Sequence, residues 1–332
     1  LDIAPASYVN LNLPFPSTSE MLRQDFKMKT IEANHSANLS LSYKYWTFTP
    51  EIGLNFSNNT INSDLMFRNG GTLQTMGQAF QNDLEFTDLK PYASLGINYK
   101  SDNWMMFAGL PFNFKNIKAV DPLRGLDRSA HKITFEPNAF VQYKFLSFWT
   151  ANVFANMNHS FADISDVYAG LLLGSPSSLS AMNPNNPFRE NQSKSTGIRI
   201  QYRNPLNNLF FNVGTNISGN KSNLTSSPFV NSLGYVVTNY IERDNSSNSF
   251  AANAEVGKYF PAIKSNASVT FSYNESKSEM IQNNILFDNK SESQSLGFKF
   301  NNSYFSWMSV DYNMNYNWSK QISTLTNRSL GY

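Results

Sequence analysis

The twelve residues from Met308 to Ser319, MSVDYNMNYNWS, alternate apolar and polar side chains without interruption. Successive side chains of a β-strand point to opposite faces, so this pattern predicts a strand with one apolar and one polar face. At roughly 3.3 Å per residue and a tilt of about 40°, such a strand rises about 30 Å, the thickness of a bilayer's hydrocarbon layer. We therefore expect a membrane-spanning strand, apolar toward lipid and polar toward an aqueous interior.

Composition agrees with a membrane-embedded sheet. Only 15% of the 332 residues are charged and 14% are aromatic, whereas soluble protein surfaces carry more charge. The net charge of +2 is too small to indicate a nucleic-acid partner. The chain has no cysteine, which excludes disulfides, thiolate zinc sites and cysteine nucleophiles. No apolar run approaches the ~18 residues of a spanning helix. The opening LDIAPASYVN lacks a methionine, so we expect a removed signal peptide or a longer parent protein.

The same alternation recurs along the chain and predicts six hairpins, that is about twelve strands of roughly 9 to 14 residues. Residues 1–30 are interpreted as a strand end or loop, and residues 31–332 as the membrane-embedded sheet. Short turns are predicted at one end of the strands. Long extracellular loops are predicted at the other end, near 58–86, 116–131, 161–196, 220–248 and 276–292. The predicted fold is all-β, a transmembrane antiparallel up-and-down β-barrel.

Tryptophans mark the predicted ends of the strands. Trp46, Trp104, Trp149 and Trp307 each lie within a few residues of a short turn, and Trp318 lies eleven residues beyond Trp307. Amphipathic indole rings favour the headgroup level of a membrane, where barrels carry aromatic girdles. The five tryptophans are thus typical of two girdles, although tryptophan is also common in ordinary strands.

No residue pattern indicates catalysis. The histidines His35, His131 and His159 are far apart in the sequence, and no metalloprotease, nucleophile-elbow or phosphate-loop motif is present. Asp163, Asp166 and Glu190 flank one long loop and form a weak calcium candidate, because scattered loop carboxylates seldom bind calcium. We therefore assign no catalytic, cofactor or metal site and expect a protein that is not an enzyme.

Two features suggest contacts with other molecules. The first is a set of cations on the polar phase near the short turns, namely Lys144, Arg199, Arg203, Lys264 and Lys299. They would favour anions or an acidic plug surface, or they are solvated lining. The second is the apolar set Leu171, Leu172, Leu173, Met182 and Phe188 in the 161–196 loop. These side chains predict either a site for a partner or ligand, or a loop that folds inward on itself.

Two stretches carry a resemblance to a known family. GIRIQYRNPLNNLFFNVGTN (Gly197 to Asn216) and YIERDNSSNSFAANAEVGKYFPAIKSNASVTFSYNES (Tyr240 to Ser276) resemble the barrel portion of TonB-dependent receptor-like outer-membrane proteins. The type is the one preceded by a carboxypeptidase-regulatory-like domain. The likeness covers most of Ile31 to Tyr332 and lies in the style of strands and turns.

The resemblance implies a 22-stranded barrel in the outer membrane of a Gram-negative bacterium. It also implies a plug, energy supplied by TonB through a region outside this chain, and nutrient import. The sequence departs from this pattern, since it has no TonB box, no plug and too few strands. It ends in RSLGY where a new strand would start, so we expect a longer receptor. Two alternatives remain: a structural or interaction barrel in a larger outer-membrane complex, and a passive porin.

Overall fold

The computed structural model describes residues 2–3, 19–175, 178–180, 182, 185–230, 236–324 and 328–331. All nineteen strands belong to one sheet. They are β1 (Asp2–Ile3), β2 (Met21–Asn38), β3 (Leu41–Tyr43), β4 (Trp46–Asn69), β5 (Thr72–Thr75), β6 (Asn82–Lys100), β7 (Trp104–Asp121), β8 (Leu126–Phe135), β9 (Asn138–Phe145), β10 (Trp149–Phe161), β11 (Leu172–Ser175), β12 (Ser178–Ser180), β13 (Glu190–Asn204), β14 (Leu209–Val230), β15 (Val236–Phe260), β16 (Ser265–Gln282), β17 (Ile285–Phe305), β18 (Met308–Ser323) and β19 (Arg328–Gly331).

The helices are single 3-10 turns at Gln78–Phe80, Pro122–Arg124, Ile164–Asp166 and Pro261–Ile263. Within the described ranges, no helix has both the length and the apolar character needed to cross a membrane.

The strands pair in chain order. β2 pairs with β4, and the series continues through β6, β7, β9, β10, β13, β14, β15, β16, β17 and β18, always antiparallel. These twelve strands form the six predicted hairpins. Among the described residues no pairing joins β18 or β19 to β2, so this sheet is open at both edges.

The long-loop end differs from the prediction. β4 continues to Asn69 and β6 already begins at Asn82, so strand occupies most of the predicted 58–86 loop. The predicted loops at 116–131, 220–248 and 276–292 are also largely strand. Tight turns close these extensions, at Gly70-Gly71 and at Asn283-Asn284, where every residue has a positive φ. The loop prediction was wrong there because polar extended strand above a membrane lacks the apolar alternation of a spanning strand.

Part of the predicted 1–30 loop is also strand. β2 starts at Met21 and pairs with β4 as far up as Arg68. Residues 1 and 4–18 lie outside the described residues.

One face of the sheet exposes apolar side chains over its whole width. On β4 this face carries Trp46, Phe48, Ile52 and Leu54, and Ile52 is 67% exposed. On β18 it carries Val310, Tyr312, Met314 and Tyr316. A water-soluble sheet would bury such a face, so the surface is built to stand in lipid. We call this face the outward face, and the opposite one the lumen face.

Aromatic pairs line the outward face near the short turns. The ring centroids of Trp46 and Tyr99 are 4.8 Å apart, and those of Trp149 and Tyr202 are 4.9 Å apart. Trp104 stacks on the ring of Tyr143 at 4.2 Å. The three pairs cross β4 to β13 at one level, as an interfacial girdle does.

The apolar residues of β4 change face partway along the strand. Ile52 and Leu54 face outward, whereas Ile61 and Leu65 face the lumen and are 3% and 0% exposed. The pairing of β4 with β2 and with β6 has no register shift, so the sequence pattern changes and the backbone does not. We call this change the phase reversal.

The phase reversal lies at one level on three neighbouring strands. On β4, Phe56 is followed at the next four outward positions by polar residues, Asn58 to Asp64, and it pairs with Leu89 of β6. On β7 the reversal falls between the exposed Phe114 and the buried Ile117. Phe56 lies ten residues beyond Trp46. Ten residues at roughly 3.3 Å and a tilt of about 40° rise about 25 Å, the height of the apolar band of membrane barrels. The reversal therefore marks the outer boundary of the lipid layer.

Candidate functional site at the loop end of the sheet

The connection between β10 and β13, residues 162–189, folds over the lumen face beyond the phase reversal. We call its described residues the inward segment. β10 leaves β9 after the pair Asn156 and Asn138 but stays paired with β13 as far as Phe161, where the segment begins. Buried side chains from both partners form one core: Ile61, Leu84, Phe86, Ile117, Ala119 and Leu126 from the sheet, and Phe161, Ala162, Ile164, Val167 and Phe188 from β10 and the segment. Hydrophobic burial thus holds the segment across the mouth of the sheet.

A second core holds the middle of the inward segment. Leu173 is 4% exposed and packs among Leu22, Leu65, Phe67 and Phe80. Met182 and Phe188 are buried as well. Of the two alternatives for this loop, the structure shows inward packing for these three side chains.

Two polar side chains clamp the backbone of the inward segment. The amide of Gly170 donates to Asn82 Oδ1 at 2.7 Å, and Asn82 Nδ2 donates back to the Gly170 carbonyl at 3.2 Å. Gln24 makes the same reciprocal pair with the amide and carbonyl of Leu173, at 2.7 Å and 3.4 Å. Each amide side chain thus bonds to both the N–H and the C=O of one residue, as a neighbouring strand would, and so satisfies two backbone groups.

Close approach at Gly170 requires a residue without a side chain. A Cβ there would lie 2.6 Å from Asn82 Nδ2 and would also collide with the Gln81 carbonyl. The glycine therefore allows the clamp to close.

The start of the inward segment is a capped 3-10 turn. The amide of Ser165 donates to Asp163 Oδ1 at 2.7 Å, and the amide of Asp163 donates to Asp166 Oδ2 at 3.1 Å. Arg189 Nη1 lies 3.0 Å from Asp166 Oδ1 and so ties the start of the segment to its end. Burial raises the pKa of Asp166, and the neighbouring Asp163 raises it further, while Arg189 opposes both effects.

Two carboxylates of the calcium candidate have cationic partners. Glu190 forms an ion pair with Lys132, whereas Asp166 pairs with Arg189. No group of three metal-binding side chains occurs in the described part of the chain. The carboxylates therefore act as structural ties between the segment and the sheet.

The end of the inward segment is held from two sides. On one side, the Arg128 guanidinium of β8 lies 4.8 Å from the Phe188 ring centroid and donates to the Asn186 carbonyl at 2.5 Å. On the other side, Asn223 Nδ2 of β14 donates to the Phe188 carbonyl at 2.9 Å, and Asn186 Nδ2 donates to the Tyr240 carbonyl at 2.7 Å. The segment therefore links β8 to β14 and β15 across the lumen.

Beneath this core lies a polar contact between β7 and β10. Lys115 is 8% exposed, and its Nζ donates to the His159 carbonyl at 2.8 Å. Glu136 Oε1 lies 3.9 Å from the same Nζ and accepts from Thr134 at 2.7 Å. The buried ammonium therefore has a charged partner as well as a backbone acceptor, as a buried charge requires.

The other sequence candidates do not form one site. The five predicted cations Lys144, Arg199, Arg203, Lys264 and Lys299 are exposed, and only Arg199 and Arg203 share a strand, β13. Arg203 shares a recess of about 450 Å³ with an acid, Glu255, near the short turns. A preference of this lumen for anions stays a prediction.

The histidines are also dispersed. His131 Nδ1 lies 2.6 Å from Asn116 Oδ1, and His159 Nε2 lies 2.7 Å from Gln192 Nε2. His35 is exposed on β2.

Sequence reasoning missed the clamps of Asn82 and Gln24. The signal that would have found their region is the phase reversal, since lumen-phase apolar residues in β4, β6 and β7 need a cover. A single asparagine or glutamine in a polar stretch carries no such signal.

No protein-family model matches the sequence, and no characterised protein matches it by sequence. Solved structures do match. The copper transporter OprC aligns with 91% of this chain and 49% of its own length, at 9% identity and a TM-score of 0.59. The unliganded ferric citrate transporter FecA aligns over 93% and 51%, at 11% identity and a TM-score of 0.46. A mutant hemophore receptor HasR of Serratia marcescens, bound to its hemophore HasA and heme, aligns over 93% and 57%, at 13% identity and a TM-score of 0.46.

The chain spans about half the length of OprC and of FecA. At 9% identity the likeness to OprC concerns the fold alone, and the other two TM-scores are too low to argue from. The chain has the all-β fold of an outer-membrane barrel wall.

Proposed function

We propose that this chain is barrel wall of an outer-membrane receptor in a Gram-negative bacterium, and that the receptor imports a nutrient. The inward segment would cover the extracellular mouth and present the surface that a ligand or partner meets. One observation carries the proposal: a lipid-facing apolar band about 25 Å high ends in a phase reversal, beyond which a folded segment spans the lumen. A receptor must hold its mouth closed around a ligand, and a segment folded across the lumen supplies such a cover.

The finer points rest on the resemblance described above. They are a barrel of 22 strands, a plug, a preceding carboxypeptidase-regulatory-like domain, and energy from TonB through a region outside this chain. The lipid bilayer is the first partner, because the outward face is apolar over every spanning strand. The described part of the chain offers no constellation for catalysis, so we propose a role in transport and not in chemistry.

A transport experiment separates the three readings of the barrel. Cells that lack the full-length protein and cells that express it are compared for uptake of a panel of nutrients, before and after a protonophore dissipates the proton gradient. A receptor requires that one uptake depends on both the protein and the gradient. Uptake that depends on the protein and survives the protonophore would indicate a porin. Unchanged uptake, combined with loss of another outer-membrane protein from its complex, would indicate a structural subunit.

A further inference from the structure

A groove of about 400 Å³ lies on the outward face, across β9, β10, β13 and β14. One cross-strand row forms its floor, in which Ala139 pairs with Ala155, Ala155 with Thr196, and Thr196 with Ile217. The row below carries bulkier side chains at Val141, Val153 and Ile198. The floor is therefore recessed between fuller rows, on a face that stands in lipid.

Lys194 stands at the rim of this groove. Its cross-strand neighbours are Met157 and Gly219, and it shares the outward face with Ile198 and Tyr202. Lys194 lies eight residues from Tyr202 of the girdle. Eight residues rise about 20 Å, so the ammonium lies just below the outer boundary of a band about 25 Å high. A lysine at this depth extends its charged end toward the headgroups.

Lys194 has no acidic partner among the residues that the structure describes. The other outward lysines near this level on β14 to β17 have acidic partners: Lys221 lies 2.8 Å from Asp244, Lys277 lies 2.8 Å from Glu275, and Lys290 lies 3.2 Å from Glu275. Lys194 forms no ion pair with any described residue, and the nearest outward positions hold a methionine and a glycine. An unpaired ammonium above an apolar recess is complementary to an anionic lipid.

We propose that this groove binds a membrane lipid with a net negative, phosphorylated headgroup. One acyl chain would lie on the Ala139, Ala155 and Thr196 floor, and the phosphate would meet Lys194. The site rests on the membrane placement proposed above and is separate from the inward segment, which lies on the other face. It would fix the height of the barrel in the bilayer on the side of β10 and β13.

The test uses the full-length protein in detergent micelles and two probe lipids with identical acyl chains, phosphatidylglycerol and phosphatidylcholine. Native mass spectrometry counts each lipid retained on the protein. One lysine near an anionic headgroup contributes enough to favour the anionic lipid by about fivefold. Lys194→Gln should abolish that preference. Ala155→Phe should remove both adducts, because the ring fills the floor.

Lys29→Gln is the matched control. Lys29 is an exposed outward lysine of β2 and also has no ion pair among the described residues. Loss of the Lys29 charge should leave the preference for phosphatidylglycerol intact.

An equal preference in the wild type and in Lys194→Gln, or unchanged adducts in Ala155→Phe, would overturn the lipid site alone. A protein that retained neither lipid and stayed dissolved without detergent would overturn the membrane placement as well. Slower gel migration after heating confirms that each variant had folded.

Discussion

The two halves of β4 to β7 use the same β-strand geometry for opposite purposes. Near the short turns, Ile52 and Leu95 point outward to lipid, and the polar side chains point inward. Beyond the phase reversal, Ile61 and Leu84 point to the lumen and are buried under the inward segment. The backbone register is continuous between the halves. The apolar side chains of a strand therefore face outward where lipid surrounds the sheet, and they face the lumen where water surrounds it.

The comparison predicts that the same truncation costs more in the upper half. Leu84→Ala removes a fully buried side chain from a protein core, which should cost about 2–5 kcal/mol because the neighbours cannot collapse into the space. Leu95→Ala is its control on the same strand, where lipid chains fill the space. The free energy of unfolding in vesicles measures both, and hydrogen exchange over residues 162–175 should rise only in Leu84→Ala. Equal losses would contradict the assignment of the two faces.

A charge tests the lower half. Met314→Arg places a guanidinium on the outward face of β18, between Trp307 of the short turn and Trp318 of the strand. An arginine near the bilayer midplane costs about 2–4 kcal/mol. Asn313→Arg adds the same charge one residue away on the lumen face. Unfolding by guanidinium chloride in lipid vesicles measures the free energy of unfolding of the two variants. If Asn313→Arg were as damaging as Met314→Arg, the outward face would not be the lipid face.

The sequence predicted the lower half well for a physical reason. Lipid requires an apolar side chain at every outward position of a spanning strand. MSVDYNMNYNWS meets this requirement over twelve consecutive residues. The twelve strands, their order and their short turns follow from that repetition. In the upper half the outward face meets water and the lumen face meets protein. Apolar residues are therefore needed only on the lumen face, where the inward segment packs. Ile61, Leu84 and Ile117 each stand isolated among polar residues, so the sequence pattern predicts loop at these positions.

The site itself was harder to predict than the strands. Leu173, Met182 and Phe188 showed that a contact had to exist, but their partner was undetermined. The partner lies about a hundred residues earlier, at Leu65 and Phe86, and the phase of single residues in β4 and β6 specifies it. Long-range packing of this kind leaves no local periodicity to read.

The clamp at Asn82 gives a smaller effect confined to the upper half. Asn82→Ala deletes both hydrogen bonds to Gly170 and leaves a buried amide and carbonyl without partners, at about 1–3 kcal/mol. Hydrogen exchange at Gly170 and Leu171 should accelerate, while exchange in β10 stays unchanged. Asn62→Ala is the control, since that exposed side chain on the outward face bonds to Asp83 and not to the inward segment as far as it is described. Protection at Gly170 that survived Asn82→Ala would show that the apolar cores hold the segment without the clamp.

The smallest effect concerns a carboxyl group in the upper half. Asp121 ends β7, is 1% exposed, and pairs with Leu126 across the 3-10 turn. Burial raises its pKa, and the nearby Arg124 offsets only part of that shift. A raised pKa in the folded state means that the proton stabilises the fold. This contribution is complete below the pKa of the unfolded chain and is lost as pH rises through the folded-state value.

Asp121→Asn removes the charge at every pH. The variant should therefore be more stable than the wild type at neutral pH, by a margin that shrinks as the solution is acidified. Thermal unfolding at a series of pH values measures that margin. A margin that instead grew toward acid would mean that the Asp121 carboxylate is stabilised where it lies, and that the upper half accepts charge on its lumen face as the lower half does.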